Sequence, residues 1–225
     1  MQKTESVISA PFSSNSPELP MKTIIFDLDG TLVDIEPLFL QIFNRLAPEF
    51  GYAPILPAEV ATLKKLSLPK FALQRLWFCF WKIPRLLRRG REEYHTLISE
   101  VALFPGIEEL LRTLHQKGYR LGIVSSSRED TIRALATKHT LPVDFIYRSG
   151  LFNKARILEK VINQERLALT DSVYIGDEVR DVAACQKIGL TIIAVTWGLN
   201  SKGALRKTGA TTVDTREALA AQLLA

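Results

Sequence analysis

Thr23-Ile24-Ile25-Phe26-Asp27-Leu28-Asp29-Gly30-Thr31-Leu32-Val33-Asp34 is the stretch on which the reading of this chain turns. Its first four residues are β-branched or aromatic and carry no charge, the mark of a buried strand. The run stops at Asp27, and Gly30 permits a sharp turn. Side chains two apart on a strand project to the same side. If extended geometry persists to Asp29, both carboxylates leave the C-terminal end of the strand together, the end at which open parallel sheets bind ligands. Two neighbouring carboxylates repel, so the pair is costly unless a cation stands between them. A solvent-exposed acidic junction is the plain alternative. Asp-x-Asp-Gly-Thr directly after an apolar strand argues against it.

From Phe104 onward, strands and helices alternate. Ile107, Leu110, Leu111 and Leu114 recur at helical spacing, and Gly118 closes that helix. Strands are predicted over 120–125, 143–147, 172–175 and 190–195, and helices over 128–138, 154–164 and 179–188. Residues 203–224 read as mostly helical, with one short strand near Thr212. This rhythm builds βαβ units, and therefore an α/β fold: a doubly wound, Rossmann-like parallel sheet with helices on both faces.

Between the first strand and Phe104 the rhythm fails for about seventy residues, far beyond an ordinary crossover. The stretch is rich in Leu, Phe and Trp at helical spacing. It predicts an inserted α-helical cap over 37–103, cut into several short helices by prolines 48, 54, 57, 69 and 84. The core domain is then 21–36 together with 104–225. Residues 1–20 hold five serines, three prolines and few large apolar groups, the composition of a disordered tail.

Three further features carry chemistry. Tyr174-Ile175-Gly176-Asp177-Glu178-Val179-Arg180-Asp181 again sets acids after an apolar strand, with Asp177 and Asp181 four apart on one helix face. Oxygen ligands of this kind suit Mg²⁺. Helix N-capping by Asp177 is the competing explanation, and the spacing alone leaves both open. Ser125-Ser126-Ser127 lies between a strand and a helix, where hydroxyls and backbone N–H groups can take an anion or simply cap the helix. Lys154 opens a helix, a place unfavourable to a cation unless an anion meets it there. His95, His115 and His139 lie far apart, without ligand spacing.

Composition bounds the rest. With 225 residues, 47% apolar and 24% charged, the chain is globular, neither wholly disordered nor a disulfide-stapled miniprotein. Cys79 and Cys185 are isolated and read as small buried apolar residues, which fits a reducing, cytoplasmic setting. No membrane span and no signal peptide are expected. The net charge of +5 resides wholly in 37–103, which holds ten Lys/Arg against five Glu. Lys82, Arg85, Arg88, Arg89 and Arg91 flank the apolar run 76–81. A solvated basic face is the first explanation. Attraction of an anionic substrate is the second, and contact with acidic lipid or nucleic acid the third. Basic residues are spread elsewhere, so nucleic acid is not the expected partner.

The order Asp-x-Asp-Gly-Thr, strand-Ser, Lys, Gly-Asp-x-x-x-Asp resembles the haloacid dehalogenase superfamily, closest to its phosphoglycolate-phosphatase-like branch, over about 22–215. Ala194-Val195-Thr196-Trp197-Gly198 is also similar to that branch, and the helical insertion falls where the family carries its helical cap. Ser126 departs from an Asn common at that place, and Ala155 from a Pro. The resemblance implies a Mg²⁺-dependent phosphatase for a small phosphorylated metabolite. It makes Asp27 the nucleophile and Asp29 the acid and base. It places Mg²⁺ on Asp27, the backbone carbonyl of Asp29, and Asp177, with Glu178 and Asp181 in support. Phosphoryl oxygens would meet Ser125, Ser126 and Lys154. A sugar-phosphate mutase shares these motifs. A dehalogenase would not need Asp29 as proton donor, and a catalytically quiet binding protein would not need the full acidic set.

Overall fold

The computed structural model describes residues 22–63, 74–97, 101–150 and 153–224. The tail expected over 1–20, Pro69 and the side chain of Cys79 lie outside the described residues. The other cysteine, Cys185, is buried.

Six strands form one sheet: β1 (Thr23–Phe26), β2 (Arg120–Ser125), β3 (Phe145–Arg148), β4 (Ser172–Gly176), β5 (Thr191–Val195) and β6 (Thr211–Val213). Their order is β3-β2-β1-β4-β5-β6, and every adjacent pair is parallel. This is the doubly wound sheet that the alternation predicts. β3 begins at Phe145 rather than 143 because Asp144 ends the ladder with its side chain. Its carboxylate accepts the Leu121 N–H at 2.7 Å, while its own N–H donates to the Leu121 carbonyl at 2.8 Å.

β1 and β2 are separated by α1 (Glu36–Phe50), the single turn α2 (Val60–Leu63), α3 (Ile83–Leu97) and α4 (Ile107–Gln116). After β2 follow α5 (Glu129–Lys138), α6 (Lys154–Gln164), α7 (Val179–Ile188), α8 (Lys202–Arg206) and α9 (Arg216–Leu224). The period-two alternation of the strands divides the core into two layers. Ile24 and Phe26 face α4, α5 and α9 through Leu111, Leu114, Ile132 and Leu219. Ile25 joins the opposite layer, filled by Leu158 and Val161 of α6, Val182 and Cys185 of α7, and Leu205 of α8. Each such side chain, fully buried, contributes roughly 1.5–3 kcal/mol.

In the described residues of 37–103, two prolines act otherwise than expected. Pro48 and Pro84 do not cut the insertion, and α1 and α3 each run fifteen residues. Pro84 sits in the first turn of α3, where a missing N–H costs nothing. Pro48 falls in the last turn of α1, just before Gly51 closes the helix. The two helices lie against each other, joined by ion pairs of Arg45 with Glu93 and of Arg85 and Arg89 with Glu49. Trp77, Phe80 and Trp81 remain exposed. The chain leaves and rejoins the core at a narrow neck: Asp34 N–H donates to the Ala102 carbonyl at 3.0 Å, and Phe104 N–H to that of Leu32 at 2.9 Å. Among the described residues no helix is long and apolar enough to cross a membrane.

Candidate active site

β1 lies between β2 and β4, where the sheet reverses its winding, and Asp27 follows its last residue. The Asp27 N–H donates to the Ile175 carbonyl at 2.8 Å, extending the β1–β4 ladder by one residue. The chain then curls. The Leu28 carbonyl accepts the N–H groups of Leu32 and Val33 at 2.9 and 3.0 Å. Extended geometry therefore stops between the two acids instead of reaching Asp29, and the carboxylates take different partners.

Asp27 is buried. Its Oδ1 accepts the Leu28 N–H at 2.8 Å, and its Oδ2 accepts from Lys154 Nζ at 2.9 Å. Asp29 turns toward the insertion. Its Oδ1 accepts from the Tyr94 hydroxyl of α3, and its Oδ2 from Ser127 Oγ at 2.5 Å, with Ser125 Oγ at 3.4 Å. Burial raises the Asp29 pKa, the hydroxyls of Ser127 and Tyr94 draw it partly back, and Asp27 adds a further push upward.

Asp177, after β4, is fully buried. Thr31 Oγ1 donates to its Oδ1 at 2.8 Å and the Leu199 N–H to its Oδ2 at 2.7 Å. Two glycines wall it in. A Cβ at Gly30, whose φ is +81°, would lie 2.4 Å from Asp177 Oδ2, and one at Gly198 would lie 2.2 Å from the same atom. Only glycine lets both backbones approach the carboxylate so closely. Asp177 is not the cap of α7. That place belongs to Glu178, whose N–H donates to Asp181 Oδ2 at 3.2 Å, so the capping explanation falls on its neighbour.

Lys154, the first residue of α6, is 5% exposed and bridges Asp27 to Asp181, with Nζ 2.6 Å from Asp181 Oδ1. Burial opposes its charge, but Asp27 and Asp181 help offset this and its pKa stays well above the usual lysine value. Burial drives Asp181 up to about 6 despite Lys154, and drives Asp177 well upward, with Asp181 and Asp27 adding to the effect. Glu178, also raised by burial, pairs with Arg180.

Carboxylate oxygens of Asp27, Asp177 and Asp181 lie within 4.8 Å of one another. Lys154 serves the first and last of these, while the donors on Asp177 are neutral. Like charges packed this closely, with one cation off to one side, fit a hard divalent ion among the oxygens. The side chain completing the cluster is that of Asp181, whereas the Asp29 carboxylate faces the insertion.

The structure thus gathers Asp27, Asp29, Ser125, Lys154, Asp177, Glu178 and Asp181 at one edge of the sheet. The Ser126 hydroxyl accepts at 3.5 Å from Arg180, the ion-pair partner of Glu178, while Ser127 Oγ reaches Asp29. Sequence reasoning passes over Tyr94, the bond from Thr31, and the contact of Ser127, the last of the three serines, with Asp29. Thr31 lies inside the first motif, and Gly198 inside the Thr-Trp-Gly run, so both had a local signal. Tyr94 had none.

Acids and a buried lysine at the switch point of a doubly wound sheet make an enzyme for anionic substrates. Residues 24–195 match the haloacid dehalogenase-like hydrolase family. The chain is 36% identical over 188 residues to a phosphoglycolate phosphatase of Synechococcus elongatus, covering 82% of this chain and 88% of the relative. It is 30% identical to a phosphoglycolate phosphatase of Xylella fastidiosa, covering 85% and 87%. A haloacid dehalogenase-like hydrolase from Streptococcus pneumoniae superposes with a TM-score of 0.75 at 26% identity, covering 90% of this chain and 99% of that one. This chain belongs to the haloacid dehalogenase-like hydrolase family.

Proposed function

We propose that the chain is a Mg²⁺-dependent phosphatase of a small phosphorylated metabolite, working through an aspartyl-phosphate. The observation that carries this reading is Asp27. It is a buried carboxylate oriented by Lys154 and the Leu28 N–H, at the mouth of a cluster that calls for a divalent cation.

An Asp27 oxygen attacks phosphorus in line with the leaving oxygen, and the bond to that oxygen breaks. Lys154 and Ser125 meet the phosphoryl oxygens and offset their charge as it redistributes. Asp29, whose pKa is raised by burial, carries the proton that the departing oxygen takes up. Water then attacks the aspartyl-phosphate, Asp29 accepts its proton, and inorganic phosphate and the free Asp27 carboxylate result. Asp27, Asp177 and the backbone carbonyl of Asp29 would hold Mg²⁺, with Asp181 and Glu178 in support. The ion supplies the positive charge that lets a carboxylate approach a phosphate dianion.

The name shared by the relatives makes phosphoglycolate the first metabolite to assay, in a cytoplasmic setting. Release of inorganic phosphate from an aryl phosphate should require Mg²⁺ and stop with a chelator. Full turnover in chelator, with no residual metal, would sink the assignment. Conversion of a sugar phosphate to its isomer without phosphate release would support the mutase instead.

A further inference from the structure

The Tyr94 contact with Asp29 is not explained by any motif. Tyr94 lies on α3, close to its end at Leu97, and packs against the hydrophobic cluster that the insertion shares with one face of the sheet. Its hydroxyl reaches 65 residues back along the chain to Asp29 Oδ1. The phenol hydroxyl is the donor and the carboxylate oxygen the acceptor. The next residue seats the helix on the core: His95 Nδ1 lies 3.0 Å from Thr131 Oγ1, and its Nε2 lies 3.7 Å from Asp130, both on α5.

Among the described residues, the side-chain hydrogen bonds given to the Asp29 carboxylate come from hydroxyls. Lys154 is committed to Asp27 and Asp181. Ser125 at the end of β2 and Ser127 in the loop after it hold Oδ2, and Tyr94 holds Oδ1. A neutral donor fixes direction without favouring the ionised form as strongly as a cation does. That suits a group which must give a proton in one step and take one in the next. The Ser125 hydroxyl beside Oδ2 places this held carboxyl next to the proposed phosphoryl site.

Resting on the phosphatase reading, we infer that Tyr94 is a positioning residue: its hydroxyl, delivered by the inserted helix, aims the Asp29 carboxyl at the leaving oxygen. Proton transfer is then coupled to the seating of α3 on the core. Without the hydroxyl, Asp29 can rotate out of hydrogen-bond reach of the leaving group, and the cost grows with the need for protonation. A residue that merely packed would affect good and poor leaving groups alike.

The test uses the full chain in Mg²⁺ with two esters of similar size, 4-nitrophenyl phosphate and phenyl phosphate. The second has the poorer leaving group. Tyr94→Phe keeps the ring and should lower kcat for phenyl phosphate about tenfold more than for 4-nitrophenyl phosphate, with KM little changed. His95→Ala, which loosens the seat of α3 but keeps the hydroxyl, should show the same bias against phenyl phosphate to a smaller extent. Equal losses on the two esters in a folded Tyr94→Phe protein, or no loss, would overturn the assignment. A wild-type protein inert toward both esters in Mg²⁺ would instead defeat the phosphatase reading and carry this inference down with it.

Discussion

The C-terminal edge of the sheet and the inserted helices both carry dense charge, yet they treat it in opposite ways. At the sheet edge, Asp27, Asp177, Asp181 and Lys154 are buried and bound to one another or to fixed donors. On the insertion, Arg85 and Arg88 stand mostly in solvent, 65% and 70% exposed, beside glutamates that are themselves partly exposed. Charge in a low-dielectric site is strong and directional, and charge in water is screened. The lesson is that density of charge does not locate function. What locates it is charge that has been removed from water and still given partners.

Substitutions at three places can break or sharpen that contrast. The largest effect belongs to the two acids of the first motif. Asp27→Asn should abolish turnover and phosphoenzyme together, since shape is kept and the nucleophile is lost. Asp29→Asn should leave the nucleophile in place and cost about 10²–10⁴-fold on poor leaving groups. With a good leaving group, the aspartyl-phosphate should then accumulate and be trapped on Asp27 by acid quench and mass spectrometry. Label on Ser125 would reverse the roles.

A middle effect is expected at Gly198. Gly198→Ala would thrust a methyl into the Asp177 carboxylate and to within 2.4 Å of the Gly30 carbonyl, so the whole cradle must shift. A displacement of about 1 Å at a site can cost about 10²-fold, and kcat/KM should fall by that order. The apparent affinity for Mg²⁺, read from its activation curve, should weaken as well. An unchanged curve would show that Asp177 is not held by this wall.

The smallest effect is expected on the insertion. Arg85, Arg88 and Arg89 pair with Glu49, Glu92 and Glu93 across and along α1 and α3, which favours a solvated face over capture of an anionic substrate. Changing all three to Gln should leave KM for the natural phosphate ester unaltered at any salt and lower the melting temperature slightly. A salt-sensitive rise in KM would restore these arginines to the substrate's path.

The same contrast explains what could be read from the chain alone. Strand and helix order after Phe104 is written in local periodicity, and the sheet follows it with shifts of a residue or two. The acids, Ser125 and Lys154 stand out because each breaks a local pattern beside an apolar strand or at a helix start. Tyr94 breaks none. It reads as one more aromatic on an amphipathic helix, and only the packing of α3 brings its hydroxyl to Asp29. Ser126 and Ser127 are chemically alike in sequence, and the turn after β2 decides that Ser127 meets Asp29 and Ser126 meets Arg180. Pro48 and Pro84 mislead because a proline's effect depends on its place in the helix, and helix ends are the least legible feature of a sequence.

The narrow neck at Asp34–Ala102 and Leu32–Phe104 bears on how a chain like this one can change over generations. The two hydrogen bonds fasten the strands of departure and return side by side, so the ends of the excursion are already together, whatever lies between them. Lengthening such a detour adds little, about 0.6 kcal/mol for each doubling of a flexible loop. Helices can be added, trimmed or rewritten there while Asp27 and Asp177, on the far side of the clasp, keep their places. Selection for a new substrate can work on one stretch of the gene while the nucleophile and the acidic cluster around it are inherited untouched, provided a hydroxyl still reaches Asp29.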